Sequence, residues 1–323
     1  MTKMSYKQAA IDALAGELRR DKRVWALGED IAQGGTYDQY GKLGQEFPGR
    51  IVNTPISEST IMGAGVGAAL VGTRPVVELR AADFALCAVD EMVNQAAKVR
   101  YMFGGQARCP VVIRQPTGLR ASVAAQHSQS FEAWYVHVPG LVVLAPATPA
   151  DNKGLLTAAI RCDDPVIYLE SKQLWEVEGE VPDGEHVTPI GKARIAREGK
   201  DVTIVTWSGA IVPVEQAAGQ AAAKGVSAEV IDLRSLWPWD EAAVLASVRK
   251  TGRLVVVQES IQTGGFGAEV AATVAEKLGG QLKAPIRRFG APRIPVPFSP
   301  PLEDLCKVQV PAIVRALEAM AAA

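Results

Sequence analysis

Glu58 is the residue whose type and setting point most directly to chemistry. It stands in Asn53-Thr54-Pro55-Ile56-Ser57-Glu58-Ser59, and the run after it, Ile61 to Gly72, carries no charge. A carboxyl beside apolar surroundings is costly to ionise, so its pKa is expected to rise. Such a group can give up or share a proton near neutral pH. The structural alternative is an ordinary first-turn acid favoured by the helix dipole. His127 is the second candidate, in Ala124-Ala125-Gln126-His127-Ser128-Gln129-Ser130. Catalytic groups gather on loops of a rigid α/β scaffold, although a lone loop histidine also reads as simply exposed. His137, between Val136 and Val138, reads as structural, and His186 receives no role.

Other motifs carry less. Gly63, Gly65 and Gly67 look like a phosphate cradle, but no strand leads into them with dinucleotide spacing and no Gly-Lys-Ser or Gly-Lys-Thr follows. They read better as permitting close helix–helix approach, as at a subunit interface. Ser59 and Ser128 lack a strand–elbow context. No Asp/Asn pair suggests a magnesium–diphosphate site.

These residues need elements to hold them. Ser5-Tyr6-Lys7-Gln8 reads as a capping box, with Ile11, Leu14 and Leu18 on one helical face. Strands are expected at 24–27, 75–79, 110–114, 141–145 and 165–169. A helix is expected from Ala88 to Met102, ended by Gly104-Gly105. Thr148-Pro149 starts another. Residues 32–49 read as a surface loop or partly ordered segment, and 117–130 as a loop carrying polar groups. The strands are continuous apolar runs alternating with helices, which is the signature of a parallel sheet covered on both faces. Residues 173–189 form an acidic, Pro/Gly-containing linker. A second alternation follows, with strands at 202–206, 228–233, 254–258 and about 286–289, and helices at 211–224, 241–249, 268–278 and 311–320. The expected fold is therefore α/β in two domains, 1–185 and 186–323.

Composition agrees. The 323 residues are 48% hydrophobic and 21% charged, with 34 basic and 35 acidic side chains giving a net charge of -1. That balance offers no footprint for nucleic acid or an anionic membrane. Cys87, Cys109, Cys162 and Cys306 are scattered, without zinc or disulfide spacing, so a reducing compartment is expected. Neither a signal peptide nor a membrane span is visible. A cytoplasmic protein, or a matrix protein in processed form, is expected.

Several stretches together resemble one family. Thr54-Pro55-Ile56-Ser57-Glu58, Asn94-Gln95-Ala96-Ala97-Lys98, Tyr101 to Gly105, Ala124 to Gln129, Pro139-Gly140-Leu141, Lys153-Gly154-Leu155 and Pro189-Ile190-Gly191-Lys192 are similar to the β subunit of thiamine diphosphate-dependent 2-oxo acid dehydrogenases. The pattern is closer to pyruvate and acetoin members than to branched-chain ones. The resemblance implies a transketolase pyrimidine-type domain followed by a transketolase C-terminal-type domain. It implies that Glu58 hydrogen-bonds the cofactor's aminopyrimidine, that Phe84 stacks on it and that Ile56 lines its pocket. It gives His127 a part in proton and acyl transfer. It implies an α subunit in an α2β2 tetramer holding magnesium and the diphosphate, and a lipoyl acyltransferase core as further partner. It also implies a potassium site at Val111, Ala159, Ile160, Cys162 and Asp164, with Cys162 where Asp is common and Asp164 where Asn is common. The alternatives are the pyrimidine half of a split transketolase and a non-catalytic assembly subunit.

Overall fold

A computed structural model describes residues 1–323, which divide into two compact units. The first comprises Met1–Thr117 with Trp134–Ile190, and the second Gly118–Ala133 with Gly191–Ala323. The chain thus leaves the first unit at residue 118 and returns at 134, an excursion absent from the linear division into 1–185 and 186–323.

The first unit is built on six parallel strands in spatial order Val142–Leu144, Val166–Ser171, Val112–Thr117, Arg74–Glu78, Val24–Gly28 and Ile51–Asn53. Strand residues alternate between faces. Val24, Ala26, Val76, Val112, Leu144, Val166 and Tyr168 share one core with Leu14, Leu18, Leu155, Leu156 and Ile160. The last five belong to helices Tyr6–Arg20 and Pro149–Arg161, which pack on each other. Both helices start as the sequence indicates. Ser5 Oγ accepts the Gln8 N–H at 3.1 Å, and Thr148 Oγ1 accepts the Asp151 N–H at 3.1 Å with Pro149 in the first turn. Helix Glu58–Leu70 packs on strand Arg74–Glu78. A Cβ on Gly65 would lie 2.4 Å from Val77 Cγ2, so this glycine lets the helix approach the sheet. The close approach is to a strand; Gly67 and Gly72 have open space around them.

Two expectations need correction. The acidic segment after Gln173 is partly ordered as strand Glu178–Val181, paired antiparallel with Thr2–Ser5. The pairing extends the chain's start with a polar ribbon that shows no apolar pattern. Residues 32–49 are not only surface loop: Tyr40 is fully buried and Leu43–Glu46 is a short helix. The helix expected from Ala88 to Met102 is present, continuous over 89–102, with a π-helical turn Glu91–Ala96 inside it and a 3-10 turn Phe84–Ala88 before it.

The second unit holds a five-stranded sheet in order Arg287–Ala291, Leu254–Ile261, Val202–Thr206, Ala228–Asp232 and Arg194–Arg197. Four strands are parallel and Arg194–Arg197 is antiparallel. Its helices are Ile211–Ala222, Glu241–Thr251, Gly267–Leu278 and Val310–Ala322. Thr203 of the central strand bonds Ser247 and Thr251 of one helix at 2.7 and 2.8 Å. No helix is long and apolar enough to cross a membrane.

Candidate active site

Glu58 is presented by a strand end and a helix start. Strand Ile51–Asn53 is pinned where it ends, because Asn53 Oδ1 accepts the Ala32 N–H at 2.7 Å and the Thr54 N–H donates to the Gly28 carbonyl at 3.0 Å. Ser57 is extended, and Glu58 is the first residue of helix Glu58–Leu70. Ser57 Oγ bonds Thr60 Oγ1 at 2.9 Å and makes no cap to the backbone. Glu58 is half-buried, and no other side chain hydrogen-bonds or ion-pairs with its carboxylate. Two positions earlier, Ile56 is 74% exposed. Phe84 opens the turn Phe84–Ala88, against which the Glu58 helix packs, and is half-buried. The turn is tied to the sheet by the Ala82 N–H, which donates to the Pro116 carbonyl at 2.9 Å. The structure therefore brings Ile56, Glu58 and Phe84 onto adjoining elements of one unit. The unengaged carboxylate, on elements that also carry the exposed Ile56 and the half-buried Phe84, can offer hydrogen-bond acceptors to a ligand with apolar faces.

His127 belongs to the second unit. It ends a 3-10 turn, Ala125–His127, and is exposed. The loop is held at several points. The Gly118 N–H donates to the Gln129 carbonyl at 3.2 Å, the Ser122 N–H to Glu303 Oε2 at 2.7 Å, and Ser128 Oγ to the Ala124 carbonyl at 2.7 Å. Ala124 has φ 59° and ψ -164°, a conformation that is essentially glycine's alone. Strain of this kind persists only where surrounding contacts over-determine it. At the loop's end Glu132 is buried and accepts the Trp207 Nε1–H at 3.4 Å. Burial pushes its carboxyl up, against hydrogen bonds from Ser260 and Trp207. His137, expected near a strand, is exposed just after the short helix Glu132–Val136.

A buried charge cluster lies at the ends of the first unit's strands and was not singled out by sequence. Its register explains it. Glu78 is paired with Arg114, and Glu170 with Pro116 two residues on. With period-two alternation, Glu78, Arg114 and Glu170 continue the core face of Val76, Val112 and Tyr168. Arg114 Nε donates to Glu170 Oε2 at 2.8 Å, and its Nη2 lies 2.7 Å from the same oxygen. Its Nε is 3.7 Å from Glu78 Oε2, which accepts the Tyr40 hydroxyl at 3.0 Å. The guanidinium also stacks over the Tyr40 ring at 5.0 Å. One cation thus faces two carboxylates and favours Glu170. Burial raises the Glu78 carboxyl to about 7, with Arg114 opposing and Glu170 adding to the rise. A Cβ on Gly28 would come within 2.8 Å of Glu78, so only glycine leaves that side chain its space.

The five positions implied for potassium lie together around the end of helix Pro149–Arg161, but their oxygens already face N–H donors. The Val111 carbonyl accepts the Val166 N–H at 2.9 Å and the Ala159 carbonyl the Cys162 N–H at 3.1 Å. Arg74 donates to the carbonyls of Ile160 and Cys162, and Arg100 Nε lies 3.1 Å from Asp164. As arranged, these groups do not fit a bare cation.

Known proteins resolve the family. Residues 2–177 match the family model "Transketolase, pyrimidine binding domain", and residues 191–313 match "Transketolase, C-terminal domain". The chain is 46% identical over 314 residues to acetoin:2,6-dichlorophenolindophenol oxidoreductase subunit beta of Cupriavidus necator, covering 94% of this chain and 93% of that one. This chain belongs to the transketolase-related family of dehydrogenase E1 β subunits. It is also 44% identical over 323 residues to the pyruvate dehydrogenase E1 component subunit beta of Rhizobium meliloti, covering 99% and 70% of the two chains. With the 2-oxoisovalerate dehydrogenase subunit beta of Bacillus subtilis the identity is 40% over 328 residues, 99% of each chain. Among solved structures, a split gene transketolase described as an inactive beta4 tetramer superposes with a TM-score of 0.79 at 25% identity, covering 99% of this chain and 98% of that one. The expectation of a dehydrogenase β subunit with these two domain types agrees with these relationships.

Proposed function

We propose that this chain is the β subunit of a thiamine diphosphate-dependent 2-oxo acid dehydrogenase acting on pyruvate or acetoin. The reading rests chiefly on Glu58: an unengaged carboxylate opening a helix within a domain of pyrimidine-binding type. The cofactor, when bound, supplies a carbanion-stabilising electron sink. Glu58 would hold a proton at the edge of its pyrimidine ring, where a hydrogen-bonded carboxyl can favour one tautomer. Phe84 would cover a face of that ring, and Ile56 would exclude water from its margin. His127 would donate or accept a proton as the acyl group passes to a lipoyl arm, since neutral imidazole titrates near physiological pH. An α subunit in an α2β2 assembly would hold magnesium and the diphosphate, and a lipoyl acyltransferase would take up the product. The setting would be a bacterial-type cytoplasm, or the mitochondrial matrix for a processed form, since relatives of both kinds exist.

The decisive experiment is co-expression with the α partner and a dye-reduction panel with 2,6-dichlorophenolindophenol as acceptor, which reads oxidative decarboxylation of pyruvate and branched 2-oxo acids and oxidative carbon–carbon cleavage of acetoin. Turnover of pyruvate or acetoin above the branched acids is expected. Turnover of none of them, or preference for a branched acid, would refute the assignment. The names of the C. necator and R. meliloti relatives favour this reading over a split transketolase.

A further inference from the structure

Helix Pro149–Arg161 ends with carbonyls that have no partner within the helix. The negative end of the helix dipole adds to the demand for positive charge there. Arg74 supplies it. Its Nη1 donates to the carbonyls of Ile160 and Cys162, both at 3.0 Å, and its Nη2 donates to Asp163 Oδ1 at 2.6 Å. Arg108 Nη1 reaches the other carboxylate oxygen of Asp163 at 2.7 Å. Arg74 is the first residue of strand Arg74–Glu78, its N–H donates to the Arg23 carbonyl at 2.9 Å, and its side chain is 14% exposed. The guanidinium is therefore held from both ends, fork-on to its acceptors.

A bare monovalent ion would need several oxygens with free lone pairs converging on one point. Here the Val111 and Ala159 carbonyls each give one of their two lone pairs to a backbone N–H, the Ile160 and Cys162 carbonyls face Arg74, and Asp164 faces Arg100 at 3.1 Å. Two guanidinium groups would repel a third cation. The chemistry of Cys162 points the same way. Its Sγ accepts the Asp164 N–H at 3.5 Å and presents a soft sulfur where a hard cation would need an oxygen. We propose that the Arg74 guanidinium is the built-in cation of this helix end, and that the chain keeps its shape there without potassium or another monovalent ion.

The probe is thallous ion, a potassium mimic with strong anomalous scattering, soaked into crystals of the full chain. Alongside it, thermal midpoints are compared in potassium and tetramethylammonium chloride at matched ionic strength. No anomalous peak at the carbonyls of Ile160 and Cys162, and equal midpoints in the two salts, are expected. A peak bonded to those carbonyls overturns the proposal. So does a midpoint several degrees higher in potassium, the size expected for a site filled at about 100 times its dissociation constant. Arg74→Met should lower the midpoint in both salts and Arg74→Lys should recover part of the loss, because lysine restores the charge but not the fork. A methionine variant with an unchanged midpoint would remove Arg74 from the argument. Should that variant fail to fold, the thallous soak of the unaltered chain still decides.

Discussion

Glu78→Gln should change how stability depends on pH, and the structure sets the size of the change. In the unfolded chain this carboxyl titrates near 4.5; in the folded chain, burial chiefly raises it to about 7. Between those values the unfolded state has lost the proton while the native state keeps it. The native state then binds more protons, so stability falls as pH rises through this window. Below it both states are protonated, and above it both are ionised, so the contribution is flat on either side. At about 1.4 kcal/mol per pH unit, the window corresponds to roughly 3 kcal/mol. Glutamine is neutral throughout, nearly the same size, and still offers an acceptor to the Tyr40 hydroxyl. The variant should therefore gain on the parent by roughly 3 kcal/mol as pH is raised across the window. Urea unfolding of both proteins at a series of pH values from about 4 to about 8 measures this as the difference of two differences, in which other titrating groups cancel. Parallel profiles for parent and variant would refute the reasoning, because they would mean that Arg114 keeps Glu78 ionised as effectively in the fold as water does outside it.

Three further outcomes concern the proposed site. Glu58→Gln should reduce turnover of the assembled enzyme by ~10²–10⁴ while assembly survives, since an amide cannot exchange the proton; near-normal decarboxylation would sink the role. The chain alone should bind thiamine diphosphate and magnesium too weakly for calorimetry, and binding should appear when the α subunit is added; micromolar binding by the isolated chain would reveal a phosphate site of its own. His127→Ala should depress reductive acylation of a lipoyl domain more than decarboxylation with an artificial acceptor. Equal loss in both assays together with weaker cofactor binding would instead make His127 a residue that pins its loop.

The parts of this molecule that were legible in the sequence are those governed by local rules. Val202–Thr206 and the starts of helices at Ser5 and Thr148 follow from apolar runs and capping side chains, whose partners are three or four residues away. Glu58 at a helix start belongs to the same class. The excursion of residues 118–133 does not, because its anchors Trp207 and Glu303 stand far along the chain. Strand Glu178–Val181 is equally hidden, since a polar ribbon paired with Thr2–Ser5 has no apolar signature of its own.

The charge cluster shows why such features escape a sequence reading. Pro75-Val76-Val77-Glu78-Leu79 reads as a strand whichever way Glu78 points. Alternation alone places Glu78 with Val76, on the core side, and that would leave a carboxylate among aliphatic groups. What makes it tolerable is the register, which sets Arg114 directly across from Glu78 and brings Glu170 in from the next strand. Register is a property of three strands separated by more than thirty residues each, and it exists only once the sheet has formed. A buried ion cluster of this kind adds little net stability over apolar packing, yet losing one partner costs several kcal/mol. A slip of two residues between strands Arg74–Glu78 and Val112–Thr117 would keep every apolar side chain on the correct face. It would, however, part Glu78 from Arg114 and Glu170, so the charges reject an alignment that hydrophobic patterning alone would accept.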